Sequence, residues 1–319
     1  MSAPARGSEL RRLPIDTRLV IKRLHQVNPW WNMKIIVFLL IWAGAGTTAV
    51  LTPSLPLRLA CYFVIGATIQ GLGILMHEGV HRILFRNRVL NRWVAFLCGV
   101  PALLSVTAYR VGHLPHHRHE RGARDPDELE NLSRDPRILA GLFCLTLLCG
   151  ELFGLYRVGP WNALRTSGRE RRDILVEYAI VTAVFVAVFL LAPLRVLLHV
   201  WVFPALIARQ LTNVRTLAEH VLTDPGSRLT ATRTVVSNRC VSFFMCNLNY
   251  HVEHHLYPGV PWYNLPRLHR LLAGDLARAG VQVYASYTRF LVDLSRFVVR
   301  AWGPRGRDLL LSLPAREAA

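Results

Sequence analysis

The stretch His251-Val252-Glu253-His254-His255 places three histidines at the spacing i, i+3 and i+4. On an α-helix this spacing brings the three side chains onto one face. Two similar clusters lie upstream, and their histidines are His77, His81, His113, His116 and His117. Neutral imidazoles are good ligands for transition metals. The three clusters therefore predict a metal site that they share.

The number of imidazoles also predicts how many ions this site holds. The three clusters contain eight of the 13 histidines in the chain. A zinc ion commonly takes three or four protein ligands, so eight imidazoles are too many for one ion and indicate two. Imidazole suits iron, copper, nickel and zinc alike, so the ligand type leaves the identity of the metal open.

The composition indicates a membrane protein. Of the 319 residues, 52% are hydrophobic, and the mean hydropathy is +0.28, which is high for a soluble globular protein. A formal net charge of +18 would suggest a nucleic-acid partner in a soluble chain. Here the basic residues bracket apolar runs, as expected for cytoplasmic loops of a membrane protein. We therefore predict membrane insertion and no nucleic-acid binding.

The apolar runs predict four membrane-spanning helices that form two hairpins. The predicted spans lie at about 33–52, 57–76, 174–192 and 194–211. Histidine clusters that share a metal must lie on the same side of the membrane. The apolar stretch at 93–109 must then be interfacial or re-entrant, and the one at 138–156 must not cross. The arginine-rich segment at 157–172 assigns the shared side to the cytoplasm.

The resulting prediction is an all-α integral membrane fold with both termini in the cytoplasm. We expect a cytoplasmic tail at 1–32, a membrane domain at 33–270 and a cytoplasmic helical segment at 271–319. Two transmembrane hairpins would carry a cytoplasmic helical cap that contains the histidine-rich site for two metal ions. The metal ligands themselves are the only residues to which we assign a catalytic role.

The order H-x-x-x-H, H-x-x-H-H, H-x-x-H-H around two hairpins resembles the membrane fatty acid desaturase family and its hydroxylase and ketolase relatives. The similarity covers roughly residues 33–270, and the last cluster with its continuation to Pro258 resembles the acyl-lipid branch. The resemblance implies a non-haem centre of two iron ions, with O2 as co-substrate. It also implies a ninth histidine ligand, which His220 matches, and an external electron donor of the ferredoxin or cytochrome type.

The resemblance also directs attention to residues beside the ligands. Some relatives hold a metal-bound water through an asparagine one turn before the ninth histidine. Here Thr216 occupies that position, so Asn247 and Asn249 are the candidates to replace the contact. Glu78 and Glu253 lie inside the histidine clusters and are candidates to accept the outward N–H of a ligand imidazole.

Other polar residues near the clusters favour simpler interpretations. Asp125 and Asp127 follow the second cluster and are interpreted as loop acids, with a contact to a ligand imidazole as the alternative. His119 is interpreted as a loop residue, and His269 as a structural one.

These patterns lead to a fatty-acyl desaturase, acting on a membrane lipid or an acyl thioester, as the first hypothesis. The nearest alternative is a hydroxylase or ketolase of a carotenoid, sphingoid or alkane. A metal-binding membrane transporter is an alternative from a different class. A transporter would carry ionisable groups inside its spans, and the predicted spans have few, such as Glu177 and Arg209 near their ends.

Overall fold

The structure is a computed structural model that describes residues 14–304, 306 and 309, with the backbone alone for residues 151–153 and 155–157. The predicted tail at 1–32 and the C-terminal segment at 271–319 each extend into residues outside this description. In the described part, the α-helices are α1 (Ile15–Leu24), α2 (Lys34–Leu51), α3 (Leu55–Val80), α4 (Arg88–Gly99), α5 (Val106–His119), α6 (Pro136–Tyr156), α7 (Asn162–Arg165), α8 (Gly168–Leu191), α9 (Leu194–His220), α10 (Arg239–Phe244), α11 (His251–Leu256), α12 (Leu265–Arg278) and α13 (Tyr287–Trp302).

Four of these helices are long and apolar enough to cross a membrane. They are α2 with the 3₁₀ turn Pro29–Met33 before it, α3, α8 and α9. A short proline-containing turn joins α2 to α3, and another joins α8 to α9, because proline cannot continue the preceding helix. Arg195, beside the second turn, donates a hydrogen bond of 2.8 Å to the carbonyl of Val50, near the end of α2. The two hairpins are thereby tied together at their turns.

The segments at 93–109 and 138–156, which were predicted not to cross the membrane, form bent or shorter apolar helices. Helices α4 and α5 are bent by 96° relative to one another across the 3₁₀ turn Val100–Ala102. Leu103 ends that turn with a left-handed φ of 60°, a conformation uncommon for residues other than glycine. Length and composition alone would allow a fifth crossing if this pair were counted as one broken span. The apolar part of α6, Pro136–Gly150, is shorter than a span.

The remaining helices form a cap over one end of the two hairpins. Helix α1 packs on α12 and α11 through an apolar cluster that includes Ile21, Leu24, Val252, Leu265 and Leu268. Two short strands, β1 (Thr234–Val235) and β2 (Val283–Tyr284), pair in parallel beside this cap. The all-α membrane fold with a histidine-rich cluster is confirmed, with these two-residue strands as a minor addition.

Candidate metal centre

All three clusters and His220 converge at the end of the hairpins where the cap lies. In each hairpin the second helix runs from the turn towards the cap, and each delivers histidines there. His77 lies in the last turn of helix α3, and His81 follows as its C-cap residue. His220 is the last residue of α9. The second cluster lies on α5 and the third on α11. Four helices from distant parts of the sequence thus build one site.

Five of the histidines form one group of ligand atoms. The members of this five-histidine group are His77, His81, His113, His117 and His254, each with a ligand nitrogen within 4.8 Å of the others. The Nε2 atom of His113 lies 2.9 Å from Nε2 of His81 and 3.0 Å from Nε2 of His117. Nε2 of His254 lies 3.2 Å from Nε2 of His117. These nitrogens point towards a common centre.

The other four histidines form a second group beside the first. The members of this four-histidine group are His116, His220, His251 and His255, and ligand atoms of His116, His220 and His255 lie within 4.8 Å of one another. His251 joins them because its Nε2 atom lies 2.9 Å from Nε2 of His220. The imidazoles of His117 and His255 stack with centroids 4.1 Å apart, so the two groups are adjacent.

The donor set fits two metal ions. Two nitrogens bound at about 2.1 Å to one ion lie roughly 3.0–3.4 Å apart at right-angled to tetrahedral geometry. The observed separations of 2.9–3.2 Å agree with this distance. A neutral imidazole has only one N–H to donate, so N–H···N bonds alone do not satisfy a set of converging nitrogens. Several imidazole nitrogens are buried without a hydrogen-bond partner among the described residues, and one of them is Nε2 of His255. A metal ion would satisfy such orphaned lone pairs.

Burial keeps these imidazoles in the state that binds metals. Removal from water, and after it the proximity of the other imidazoles, lowers the pKa values of His251 and His254 well below the usual value for histidine. The pKa of His255 is also lowered, because the effect of burial outweighs the opposite effect of Glu120. Neutral rings offer lone pairs, so these side chains are ready to bind metal at neutral pH.

Three carboxylates approach the Nδ1 atoms of the four-histidine group. Asp125 accepts a hydrogen bond of 2.9 Å from Nδ1 of His116. The carboxylate of Glu120 lies 2.9 Å from Nδ1 of His255. Glu219 lies 3.5 Å from Nδ1 of His251 and also accepts a hydrogen bond from Arg215. A carboxylate on Nδ1 directs the Nε2 lone pair towards an ion and makes it more basic.

The residues that were predicted to support the ligands mostly have other partners. Glu78 accepts a hydrogen bond from the backbone N–H of Trp262. Its other carboxylate oxygen lies 3.9 Å from Nδ1 of His77. Glu253 binds His269 and Thr234 instead of a ligand imidazole.

The two predicted replacements for the water-holding asparagine donate their amide N–H groups to backbone carbonyls. Asn247 donates to the carbonyl of Trp262, and Asn249 donates to the carbonyl of Val235. The side chain of Thr216 is exposed, so it faces away from the buried cluster.

The preferred interpretation of Asp125 as a loop acid is wrong, because its carboxylate contacts His116. Asp127 lies further from the same imidazole, at 3.9 Å from Nδ1. Glu120 and Glu219 were not among the residues predicted from the sequence. Glu219 directly precedes the predicted ligand His220, and Glu120 lies three positions after His117. Their partners lie far along the chain, so local spacing does not reveal the pairs. His119 is half-buried at the end of α5 and belongs to neither group.

Comparison with known proteins agrees with this architecture. The fatty acid desaturase family matches residues 53–287. The chain is similar to the sn-1 oleoyl-lipid 12-desaturase of Arthrospira platensis, with 22% identity over 63% of this chain and 64% of that protein. It is also similar to the sphingolipid delta(4)-desaturase of Komagataella phaffii, with 28% identity over 83% of this chain and 76% of that protein.

A third relative widens the range of named substrates. The dihydrorhizobitoxine desaturase of Bradyrhizobium elkanii is 24% identical over 93% of this chain and 88% of that protein. The aligned region of the A. platensis protein is slightly less than two thirds of its length. Because the family match covers most of the sequence, the chain belongs to the fatty acid desaturase family. That membership confirms the resemblance seen in the histidine clusters, and the desaturase names of the relatives support an oxidoreductase enzyme.

Proposed function

We propose that this protein is an O2-dependent desaturase that introduces a C=C bond into the acyl chain of a membrane lipid. Nine histidines would hold two iron ions: His77, His81, His113, His116, His117, His220, His251, His254 and His255. When bound, the iron pair supplies the activation of O2 that removes hydrogen from an unactivated C–H bond. The observation that supports this proposal is the convergence of all nine imidazoles at one end of two apolar hairpins.

The surrounding residues prepare the site for this reaction. The ring of Tyr109 packs against His113 and His77, with centroids 5.0 and 6.2 Å apart. Leu75, Met76 and Val106 belong to the buried apolar cluster against which Tyr109 packs. This apolar wall keeps water from the ligands on that side and offers a surface that suits a hydrocarbon chain. Asp125 holds the imidazole of His116 in one tautomer, so that its Nε2 lone pair faces the ion.

The membrane supplies the substrate, and a partner protein supplies the electrons. Two of the relatives are named for lipid substrates, which favours a lipid over a soluble thioester. We propose that the cap and both termini lie in the cytoplasm, because the arginine-rich segment 157–172 adjoins the cap end of α8. A ferredoxin or cytochrome would dock on that side. The formal net charge of +18 favours an acidic donor.

Lipid profiling by mass spectrometry tests the proposal. A host that expresses the chain should accumulate a lipid two mass units lighter than its precursor, and His254→Ala should abolish this product. His119→Ala is the matched control, because His119 lies on α5 outside both groups and should leave the product unchanged. A gain of sixteen mass units would identify a hydroxylase instead. Metal uptake without any new lipid would favour a transporter.

A further inference from the structure

The two histidine groups differ in the charges that surround them. In the four-histidine group, Asp125 contacts His116 and Glu120 contacts His255, both at 2.9 Å. In the five-histidine group, the Nδ1 atoms of His77 and His254 make no hydrogen bond with any residue that the structure describes. The carboxylate nearest to His77 Nδ1 is that of Glu78, at 3.9 Å. Negative charge is therefore concentrated beside one of the two groups.

Three carboxylates lie beside the four-histidine group, and they differ in whether a cation of the described residues pairs with them. The carboxylate of Glu219 is paired with Arg215 at 2.9 Å, so its charge is largely offset. The side chain of Glu120 is buried against the imidazole of His255, and no cation of the described part of the chain pairs with its carboxylate. Asp125 is almost fully buried and accepts hydrogen bonds from the backbone N–H groups of Arg121 and Asp127. Glu120 and Asp125 thus contribute most of the net negative potential at the four-histidine group.

A dication gains from this potential, and the imidazoles beside the carboxylates become stronger donors. Loss of such an outer partner typically reduces metal affinity 10–100-fold. The five-histidine group offers one more imidazole, so a simple count of ligands predicts that it fills first. The charges predict the opposite order, which makes the order of filling informative.

We propose that the two ion positions are inequivalent, and that Glu120 and Asp125 make the four-histidine position the tighter one, which fills first. This inference rests on the proposed function only in taking iron as the metal. Glu120 and Asp125 are positioning residues, since they lie against the Nδ1 atoms of His255 and His116 and would act on the ions through these imidazoles.

Anaerobic titration of the metal-free chain with ⁵⁷Fe(II), followed by Mössbauer spectroscopy, tests the order. In the wild type, the first equivalent should give one quadrupole doublet, and the second equivalent should add another. In Glu120→Gln/Asp125→Asn the affinity of the first position should fall by at least about 10-fold, so one equivalent should populate both doublets. Glu170→Gln is the control, because it removes an exposed carboxylate paired with Arg110 and should behave as wild type.

The single variant Glu120→Gln separates a loss of metal affinity from a loss of folding. Asp125 also accepts hydrogen bonds from backbone N–H groups of its loop, whereas no backbone N–H of the described residues donates to the carboxylate of Glu120. Glu120→Gln should keep the elution profile of the wild type in detergent and still weaken one position about 10-fold or more. A merely structural role would weaken both positions together.

Equal filling of both positions in the wild type, or filling of the five-histidine position first, would overturn the inequivalence. So would a double variant that fills in the same order and with the same affinities as the wild type. Failure of the proposed function looks different: two positions would fill in the expected order while lipid profiling detects no new product. A desaturase whose positions fill together would contradict only the present inference.

Discussion

Helices α3 and α8 both reach from the turn end to the cap end of their hairpins, yet they are held in different ways. In α3, 72% of the most apolar stretch is buried, and the helix packs against α2, α4 and α9. In α8 the corresponding share is 17%, so most of this helix faces lipid. Helix α3 is thus fixed along its length by close packing. Helix α8 has to be fixed at a few points.

The main anchor of α8 is a buried carboxylate. Glu177 is 2% exposed and accepts hydrogen bonds from Ser105 Oγ at 2.6 Å and from Thr107 Oγ1 and N at 2.7 and 2.9 Å. Arg92 adds an ion pair at 3.1 Å. Ser105 and Thr107 form the start of α5, the helix that carries the second histidine cluster. The comparison teaches that apolar packing positions the first cluster, whereas a polar contact across helices positions the second.

The largest expected effect comes from removal of this anchor. Glu177→Leu would leave the donors of Ser105 and Thr107 and the guanidinium of Arg92 without their shared acceptor. Loss of one partner of a buried charged contact costs about 3–5 kcal/mol. Unfolding in detergent should show this loss of stability, and the variant should also retain less iron because the start of α5 shifts.

Glu177→Gln provides the comparison within the same site. It keeps an acceptor oxygen of the same shape and should lose distinctly less stability than the leucine variant. Equal stability of Glu177→Leu and the wild type would mean that α8 is held by something other than this carboxylate.

The two helices also differ in how far their roles follow from the sequence. The apolar runs identified the four spans, and the requirement that the clusters meet on one side excluded the segment at 138–156. The spacing of the histidines identified the cluster, but the resemblance was needed to select His220. Contacts between residues that are distant in the sequence depend on how the helices pack, and the sequence did not reveal them. Glu177 was seen only as an ionisable group near a helix end, since its donors lie about 70 residues away.

The same limit applies around the metal centre. The contact between Glu120 and His255 joins α11 to the residue that follows α5. No local period links two such residues, so the sequence did not reveal the pair. Glu253, in contrast, lies inside a cluster and still turns to His269. Sequence proximity to a ligand is therefore a weak guide to which carboxylate supports it, whereas the direction of the side chain in the fold is decisive.

A pair of leucine truncations measures the contrast between the two helices directly. Leu75 in α3 is fully buried, whereas Leu190 in α8 is 74% exposed in the protein and faces the membrane. Leu75→Ala should cost about 2–5 kcal/mol, because a cavity forms in a packed interior. Leu190→Ala should change stability by no more than about 0.5 kcal/mol. The free energy of unfolding in one detergent checks both values, and similar costs would remove the distinction between a packed and a lipid-facing helix.

The smallest effect concerns two glycines of α3, whose surroundings differ although they lie six positions apart. A Cβ atom at Gly79 would lie 2.2 Å from Cβ of Ala95 in α4, whereas a Cβ atom at Gly73 would meet nothing within 4 Å. Gly79→Ala should therefore cost about 1–3 kcal/mol by overpacking. Gly73→Ala should be neutral or stabilising by up to about 1 kcal/mol, because alanine restricts the unfolded chain.

A compensating substitution separates overpacking from any other effect of the new methyl group. In Gly79→Ala/Ala95→Gly the methyl group moves from one helix to the other, so the contact between α3 and α4 is relieved. The double variant should recover most of the stability that Gly79→Ala loses, and unfolding measurements on all four forms give the coupling between the two positions. Gly79 lies between His77 and His81, so iron retention should recover together with stability. Additive losses at the two positions would show that the close approach of α3 and α4 is not what requires glycine here.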